Sequence, residues 1–522
     1  MTVANMPMGG GTQFRTCPVT GFKVDLAAEK LIIVNAVTAV VFLLVGGVLA
    51  LLVALTRWPE IHLLPANLFY KFLTAHGLAM LVLWIVFFEV AGLYFGSAVV
   101  LSARLVQPKT AWFAYILMLV GALMTSWMVL FTNTSDVMFS AYVPLKAHPL
   151  FYLGIILFAV GAIIACVLFI ATIIVAKKEG TYQGSLPLFT FGLFAAVVIA
   201  LFTLGSGAAA FIPAFFWSMG WLENFDAGAY RVLFWGFGHS AQQINLAAQI
   251  SIWYALAGIT VGAKPINEKL SRFAFILYIL FINLGAMHHL LVDPGLGVFT
   301  RFWNTSYFMY MAVLGSMIHA FSIPAAMEVA QRKKGFTRGL FEWLRKSPWR
   351  EPGFAALIVS LLIFGFIGGA TGPIIGTNQI NMLAHNTWRI TGHFHATVVG
   401  GTTIAFMGIT YYLIPLIFRR DLVGKKWATW QPYIYGVGLV LMSTGMLLSG
   451  TLGAPRRHWD ITFANAAFPV QFEGAMSLTM ALMGVGAVLA SIGGAIYIAI
   501  AVLSLLFGQK KEANRLMLVV NE

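Results

Sequence analysis

The feature that most limits this chain is a series of apolar runs, each of roughly 20 residues or more and free of the alternation that barrel strands show. In hydrocarbon every backbone N–H and C=O must find its partner within the segment, so such runs span as helices. Twelve qualify, at 31–56, 70–102, 112–132, 150–176, 188–214, 230–262, 270–292, 303–330, 354–374, 390–418, 430–453 and 470–507. Of the 522 residues, 60% are hydrophobic and 10% charged, far less charge than a soluble folded surface carries. The expected fold is all-α, a polytopic membrane protein of twelve transmembrane helices. Residues 1–30 precede the membrane domain 31–507 and a tail, 508–522, follows it. The polar stretch up to Lys30 does not read as a cleaved signal peptide, because the run after it is a full span.

The net charge of +14 invites a nucleic-acid reading, which the placement of the charges removes. With the N-terminus inside, 24 of the 32 basic residues fall on inner segments and 8 on outer ones. The densest inner cluster holds Arg332, Lys333, Lys334, Arg338, Arg345, Lys346 and Arg350. The excess of basic residues in inner loops predicts both termini on the cytoplasmic side of the cell membrane. Lipid is the expected surrounding, with no nucleic acid as partner. Two cysteines, Cys17 and Cys166, lie far apart, so zinc, iron–sulfur or dinuclear copper centres are expected only on another subunit.

Under this orientation six histidines share one depth in the outer part of the bilayer: His76, His239, His288, His289, His393 and His395. They come from four spans. One such histidine reads as readily as a hydrogen-bonded core residue; six at one level are too costly in lipid for that reading. Neutral imidazoles in apolar surroundings suit haem iron, copper and non-haem iron. His393 and His395 sit about 200° apart around a helix, so one span can serve two haems. His288 and His289 can reach one metal with modest unwinding, and His239 can complete three nitrogens. His76 then pairs with one of the two tenth-span histidines across a low-spin haem. Arg456 and Arg457, in the outer loop before the last span, suit haem propionates because guanidinium binds carboxylates bidentately.

Together with Gly392-His393-Phe394-His395 and Pro455-Arg456-Arg457, this set resembles subunit I of the haem–copper oxidoreductase superfamily across all twelve spans. The stretches from His288 to Leu296 and from His385 to His395 resemble its B-type branch. The resemblance implies that His76 and His395 ligate the low-spin haem and that His393 holds the high-spin haem. It implies that His239, His288 and His289 hold a non-haem metal, iron or copper. Arg456, Arg457 and His385 would lie at the propionates.

One position departs from the oxidase pattern. Oxidases of this kind carry a tyrosine one turn after the sixth-span histidine, bonded to it; here that place holds Gln243. The other oxidase arrangement takes its tyrosine from six residues before the histidine pair, which is Ile282 here, with Tyr278 a turn below. Four-electron splitting of dioxygen draws an electron and a proton from that tyrosine, and a carboxamide supplies neither. Reduction of two nitric oxides needs two electrons and two protons, and nitric oxide reductases of the superfamily resemble the present pattern. The expected function is respiratory reduction of nitric oxide to nitrous oxide and water, with Gln243 beside the catalytic His239, His288 and His289 and a candidate further ligand. The alternative is a B-type terminal dioxygen reductase, with or without proton pumping. A secondary transporter would show midplane charges rather than outer histidines.

Candidates for proton transfer are Glu89, Tyr254, Glu223 and Glu473, with Asp226 a further outer acid; the inner half of the sixth span is otherwise apolar through Leu246, Ala247, Ala248 and Ile250. No Cys-x-x-Cys-His motif is present, so electrons are expected from a second, cupredoxin-like or cytochrome subunit, with quinol or cytochrome c as donor.

Overall fold

The structure is a computed structural model that describes residues 14–464, 467, 469 and 474–510. It is helical almost throughout. Eleven helices are long and apolar enough to cross a membrane: α1 (Leu26–Arg57), α2 (Ala66–Val99), α3 (Pro108–Leu130), α4 (Pro149–Lys178), α5 (Leu188–Ser218), α6 (Ala227–Val261), α8 (Val298–Lys333), α9 (Pro352–Gly376), α10 (Trp388–Ile417), α11 (Lys425–Thr451) and α12 (Gly474–Phe507). The seventh expected span differs. Its α-helix, α7, covers Glu268–Leu284 and then tightens into a 3-10 turn over Gly285–Leu290. That change of helix type falls at the adjacent histidines. The start of the last expected span, 470–473, lies outside the described residues.

Local chemistry sets the helix ends. Proline opens α3, α4 and α9 at the first helical position, where its missing N–H costs nothing. Asp25 caps α1, taking the Ala27 and Ala28 amides on one carboxylate oxygen and the Leu105 amide on the other. It thereby ties the end of a small hairpin, Phe14–Thr16 paired with Lys23–Asp25, to the loop before α3. Asp226 caps α6 through the Ala229 amide at 2.7 Å, and Gly262 closes that helix at φ 74°, a conformation that favours glycine.

Close packing follows from small residues, as expected where lipid gives no hydrophobic drive between helices. A Cβ on Gly445 of α11 would stand 2.5 Å from the Met483 amide of α12. Polar side chains stitch the centre. Ser360 of α9 donates to Gly401 O of α10 at 2.7 Å and accepts from Trp253 of α6 at 2.8 Å. Thr402 of α10 donates to Gln249 of α6 at 2.8 Å. Wider π-helical turns interrupt α2 at Ala79–Leu83 and Phe95–Val99, α9 at Ile363–Gly368 and α10 at His395–Thr403. Such turns collect at functional sites, and α2 and α10 carry half of the six histidines.

Candidate metal and haem centre

Three imidazoles converge where α6 meets the 3-10 turn after α7. The ligating nitrogens of His239, His288 and His289 lie within 4.8 Å of one another. Ring centres stand 4.3 Å apart for His239–His288 and for His288–His289, and 5.2 Å apart for His239–His289. His288 Nδ1 bonds Gly285 O at 2.5 Å, which makes Nδ1 the donor and leaves the Nε2 lone pair for a metal. His239 turns its Nδ1 toward His289 Nε2 at 3.1 Å, and its Nε2 meets the Gln243 carboxamide nitrogen at 3.3 Å. Gln243 therefore sits on the ring nitrogen remote from the trio. Its Oε1 is buried without a partner.

Two side chains that sequence reasoning missed hold this trio. The Trp235 indole stacks on His289 with ring centres 3.7 Å apart and planes 4° from parallel. It lies one helical turn before His239, so the i, i+4 spacing was a readable signal. Asn381 donates to His288 O at 3.1 Å and Ile375 O at 2.8 Å; no local pattern announces that bond.

The second grouping faces two rings across a gap. His76 of α2 and His395 of α10 have ring centres 6.5 Å apart and planes 13° from parallel. Imidazoles on opposite faces of one iron, at metal–nitrogen distances of about 2.0–2.1 Å, place their centres about 6.3 Å apart. The spacing fits a bis-histidine haem. Both rings spend Nδ1 on backbone oxygens, His76 on Gly46 O at 3.0 Å and His395 on Thr391 O at 2.8 Å, so both Nε2 atoms remain for iron. His393 turns the other way, its Nδ1 within 3.0 Å of both Gly368 O and Thr371 Oγ1 on α9. It lies in electrostatic reach of His239, His288 and His289. One helix thus presents two imidazoles to two neighbours, as their spacing requires.

The loop after α11 brings cations to the same end. Arg456 bonds Asn386 O through its backbone amide at 2.6 Å, and Arg457 donates to Ser140 at 3.0 Å. Among the described residues neither pairs with a carboxylate. Burial, with Arg457 alongside, pushes the Arg456 guanidinium down to about 9. Adjacent half-buried guanidiniums without a carboxylate partner among the described residues fit a ligand that brings carboxylates. His385 stands near them: burial lowers its pKa, Arg231, Arg456 and Arg457 add to the fall, and Asp293 opposes it. Sequence reasoning missed Arg57, whose guanidinium lies over Trp388 at 4.2 Å and donates to Pro455 O at 2.7 Å. It also missed the bidentate Arg231–Asp293 pair, at 2.5 and 2.9 Å.

The proton candidates scatter. Glu89 is buried within α2. Tyr254 donates to Ser271 at 2.9 Å and lies 3.0 Å from His319 Nδ1, while Tyr278 bonds Ser316 at 2.9 Å. The inner half of α6 therefore opens onto a short polar cluster that the apolar run did not announce. Glu223 is exposed, the carboxylate of Asp226 is engaged in capping α6, and Glu473 lies outside the described residues.

These features define a multi-pass helical membrane protein whose core histidines fit haem and a non-haem metal. The family model described as "Cytochrome C and Quinol oxidase polypeptide I" matches residues 30–496. The chain belongs to that family, subunit I of the haem–copper oxidases, whose members are oxidoreductases that bind haems and a copper or iron centre. It is 29% identical over 423 residues to a cytochrome c oxidase subunit 1 of Thermus thermophilus, covering 78% of this chain and 72% of that one. A cytochrome c oxidase polypeptide 1 of Halobacterium salinarum is 26% identical over 429 residues, 76% of this chain and 66% of the relative. A haem–copper terminal oxidase dimer solved by cryo-EM superposes with a TM-score of 0.88 at 26% identity, covering 94% of this chain and 86% of that chain.

Proposed function

We propose that the chain is the catalytic subunit of a respiratory complex that reduces nitric oxide, by 2 NO + 2 H⁺ + 2 e⁻ → N₂O + H₂O. The observation that carries this reading is the Gln243 carboxamide against His239 Nε2. It occupies the bonding place on that imidazole without offering an electron or a proton.

His239, His288 and His289 would hold the non-haem metal, His393 the high-spin haem, and His76 with His395 the low-spin haem. When bound, these groups supply electrons and Lewis acidity between two metals. The chain's own contribution is placement. Trp235 and Asn381 fix the trio, while Gln243 sets which nitrogen of His239 faces it. Arg456, Arg457 and His385 would receive propionates. We read twelve crossings, counting α7 with its 3-10 extension, and cytoplasmic N- and C-terminal segments at 1–30 and 508–522; inner-loop basic residues support this orientation. Electrons would come from a partner subunit, cupredoxin-like or cytochrome, fed by quinol or cytochrome c. Tyr254 and the outer acids Glu223 and Glu473 would serve proton traffic.

A second reading is reduction of dioxygen to water. The relatives' names support it, since both carry cytochrome c oxidase in their titles, and on that ground it is better backed than nitric oxide. Purified complex, given ascorbate and a redox mediator, separates the two. Anaerobic nitric oxide consumption with stoichiometric nitrous oxide supports the first; sustained dioxygen uptake without nitrous oxide formation replaces it with the second.

A further inference from the structure

Glu89 is a buried carboxyl in the middle of α2, and among the described residues no basic side chain pairs with it. An acid so placed is expensive unless it is protonated or hydrogen-bonded. Its partner is Asn245 of α6. With the carboxamide oriented by the bonds it can make, Asn245 donates to Glu89 Oε1 at 3.0 Å and to Ala241 O at 3.3 Å. The Cys166 thiol of α4 is a titratable group in electrostatic reach of Glu89.

Asn245 is one of three carboxamides at 242, 245 and 249, a spacing that puts them on one stripe of α6. Thr402 donates to Gln249 Oε1, but Gln249 Nε2 and Gln242 Oε1 are both buried without a partner. A run of carboxamides with unsatisfied atoms is what a line of buried water needs. Gln242 stands between Asn245 and His239 in height and in angle around the helix. From Asn245 to His239 is six residues, about 9 Å along the axis, a gap that two or three bridging waters cover.

We infer that Glu89 is a proton-holding residue that serves the histidine site through the Asn245–Gln242 stripe, on a face of α6 separate from the Tyr254–His319 cluster. The assignment rests on the reading of this chain as a proton-consuming reductase and holds for either gas. Glu89 releases one proton toward the site as each electron arrives and takes another from the inner side before the next.

Glu89→Gln keeps the shape and still hydrogen-bonds a carboxamide, so a structural role leaves this variant unaffected. In the purified complex we expect unchanged haem spectra and an unchanged rate of low-spin haem reduction by ascorbate and mediator. Turnover with nitric oxide or dioxygen should fall about a hundredfold, the usual scale for a lost proton donor. Reduced-minus-oxidised infrared spectra should show a protonated-carboxyl band that Glu89→Gln removes and Glu89→Asp shifts. Wild-type turnover in Glu89→Gln, or a band that survives it, overturns the inference. A wild-type complex consuming neither gas would instead defeat the functional reading. The infrared band needs no turnover and decides Glu89 alone.

Discussion

Removing His288 tests the metal trio directly. His288 Nδ1 is committed to Gly285 O at 2.5 Å and its carbonyl to Asn381 at 3.1 Å, so the ring reaches the metal position already oriented. Structural four-ligand metal sites are worth about 10–16 kcal/mol, or about 2.5–4 kcal/mol per ligand. At 1.36 kcal/mol per decade, His288→Ala should weaken metal binding by about 70–900-fold. The assay is metal per chain after dialysis against graded chelator, with haem content of the same samples as the internal control. The proposed haem ligands His76, His393 and His395 lie on other helices, so haem should stay while the metal leaves. His62→Ala, which loses a ring contact to Trp459 at 4.5 Å, a bond to Thr56 O and an electrostatic contact with Asp460, should keep both. A His288→Ala complex that releases its metal at the wild-type chelator concentration would refute the three-imidazole site.

His76→Leu should remove the low-spin optical spectrum while leaving non-haem metal in place, checked by reduced absorption spectra and elemental analysis. Asp293→Asn breaks the bidentate pair with Arg231, whose side chains are 18% and 25% exposed; a loss of about 1–3 kcal/mol, between surface and buried values, should appear as a lower thermal midpoint. His385 has its pKa lowered in the fold, so the unfolded chain binds more protons below about pH 6.5. Its contribution is complete above that pH and drains as the pH falls toward the lowered native value; His385→Gln should flatten the acid limb of the thermal-midpoint profile.

Much of the architecture was legible because lipid enforces it. Run length located the helices, and the structure moved most ends by a few residues, to start signals such as the Asp226 cap and the first-turn Pro352 that hydropathy ignores. The seventh span was read as one piece, whereas Gly285–Leu290 leaves the α-helical path; hydrophobicity carries no signal for that change. All six histidines were singled out by their expected depth, and in the structure they fall into a trio, a facing pair and His393. What stayed hidden were the groups that aim them. Gly46 is 30 residues from His76 and Gly368 is 25 from His393, so those acceptors exist only after packing.

The acceptors explain why helix contacts, rather than local sequence, decide what these histidines bind. Four of the six spend Nδ1 on a backbone oxygen, and for His76 and His393 that oxygen belongs to a glycine of a neighbouring helix. At Gly46 a Cβ would stand 2.6 Å from Met80, and at Gly368 a Cβ would stand 2.6 Å from Thr397. A side chain at Gly368 would press on the Thr397 backbone, 3.1 Å away, and drive α9 from α10, while one at Gly46 would have to displace the Met80 side chain. The same glycines that let the helices close therefore fix the tautomer, leaving Nε2 facing the gap. His239 differs: its Nε2 meets Gln243 and its Nδ1 faces His289 Nε2, so in the proposed site Nδ1 is the nitrogen turned toward the metal position. At five of the six rings one hydrogen bond thus singles out the nitrogen left free, and at His239 that bond comes from Gln243.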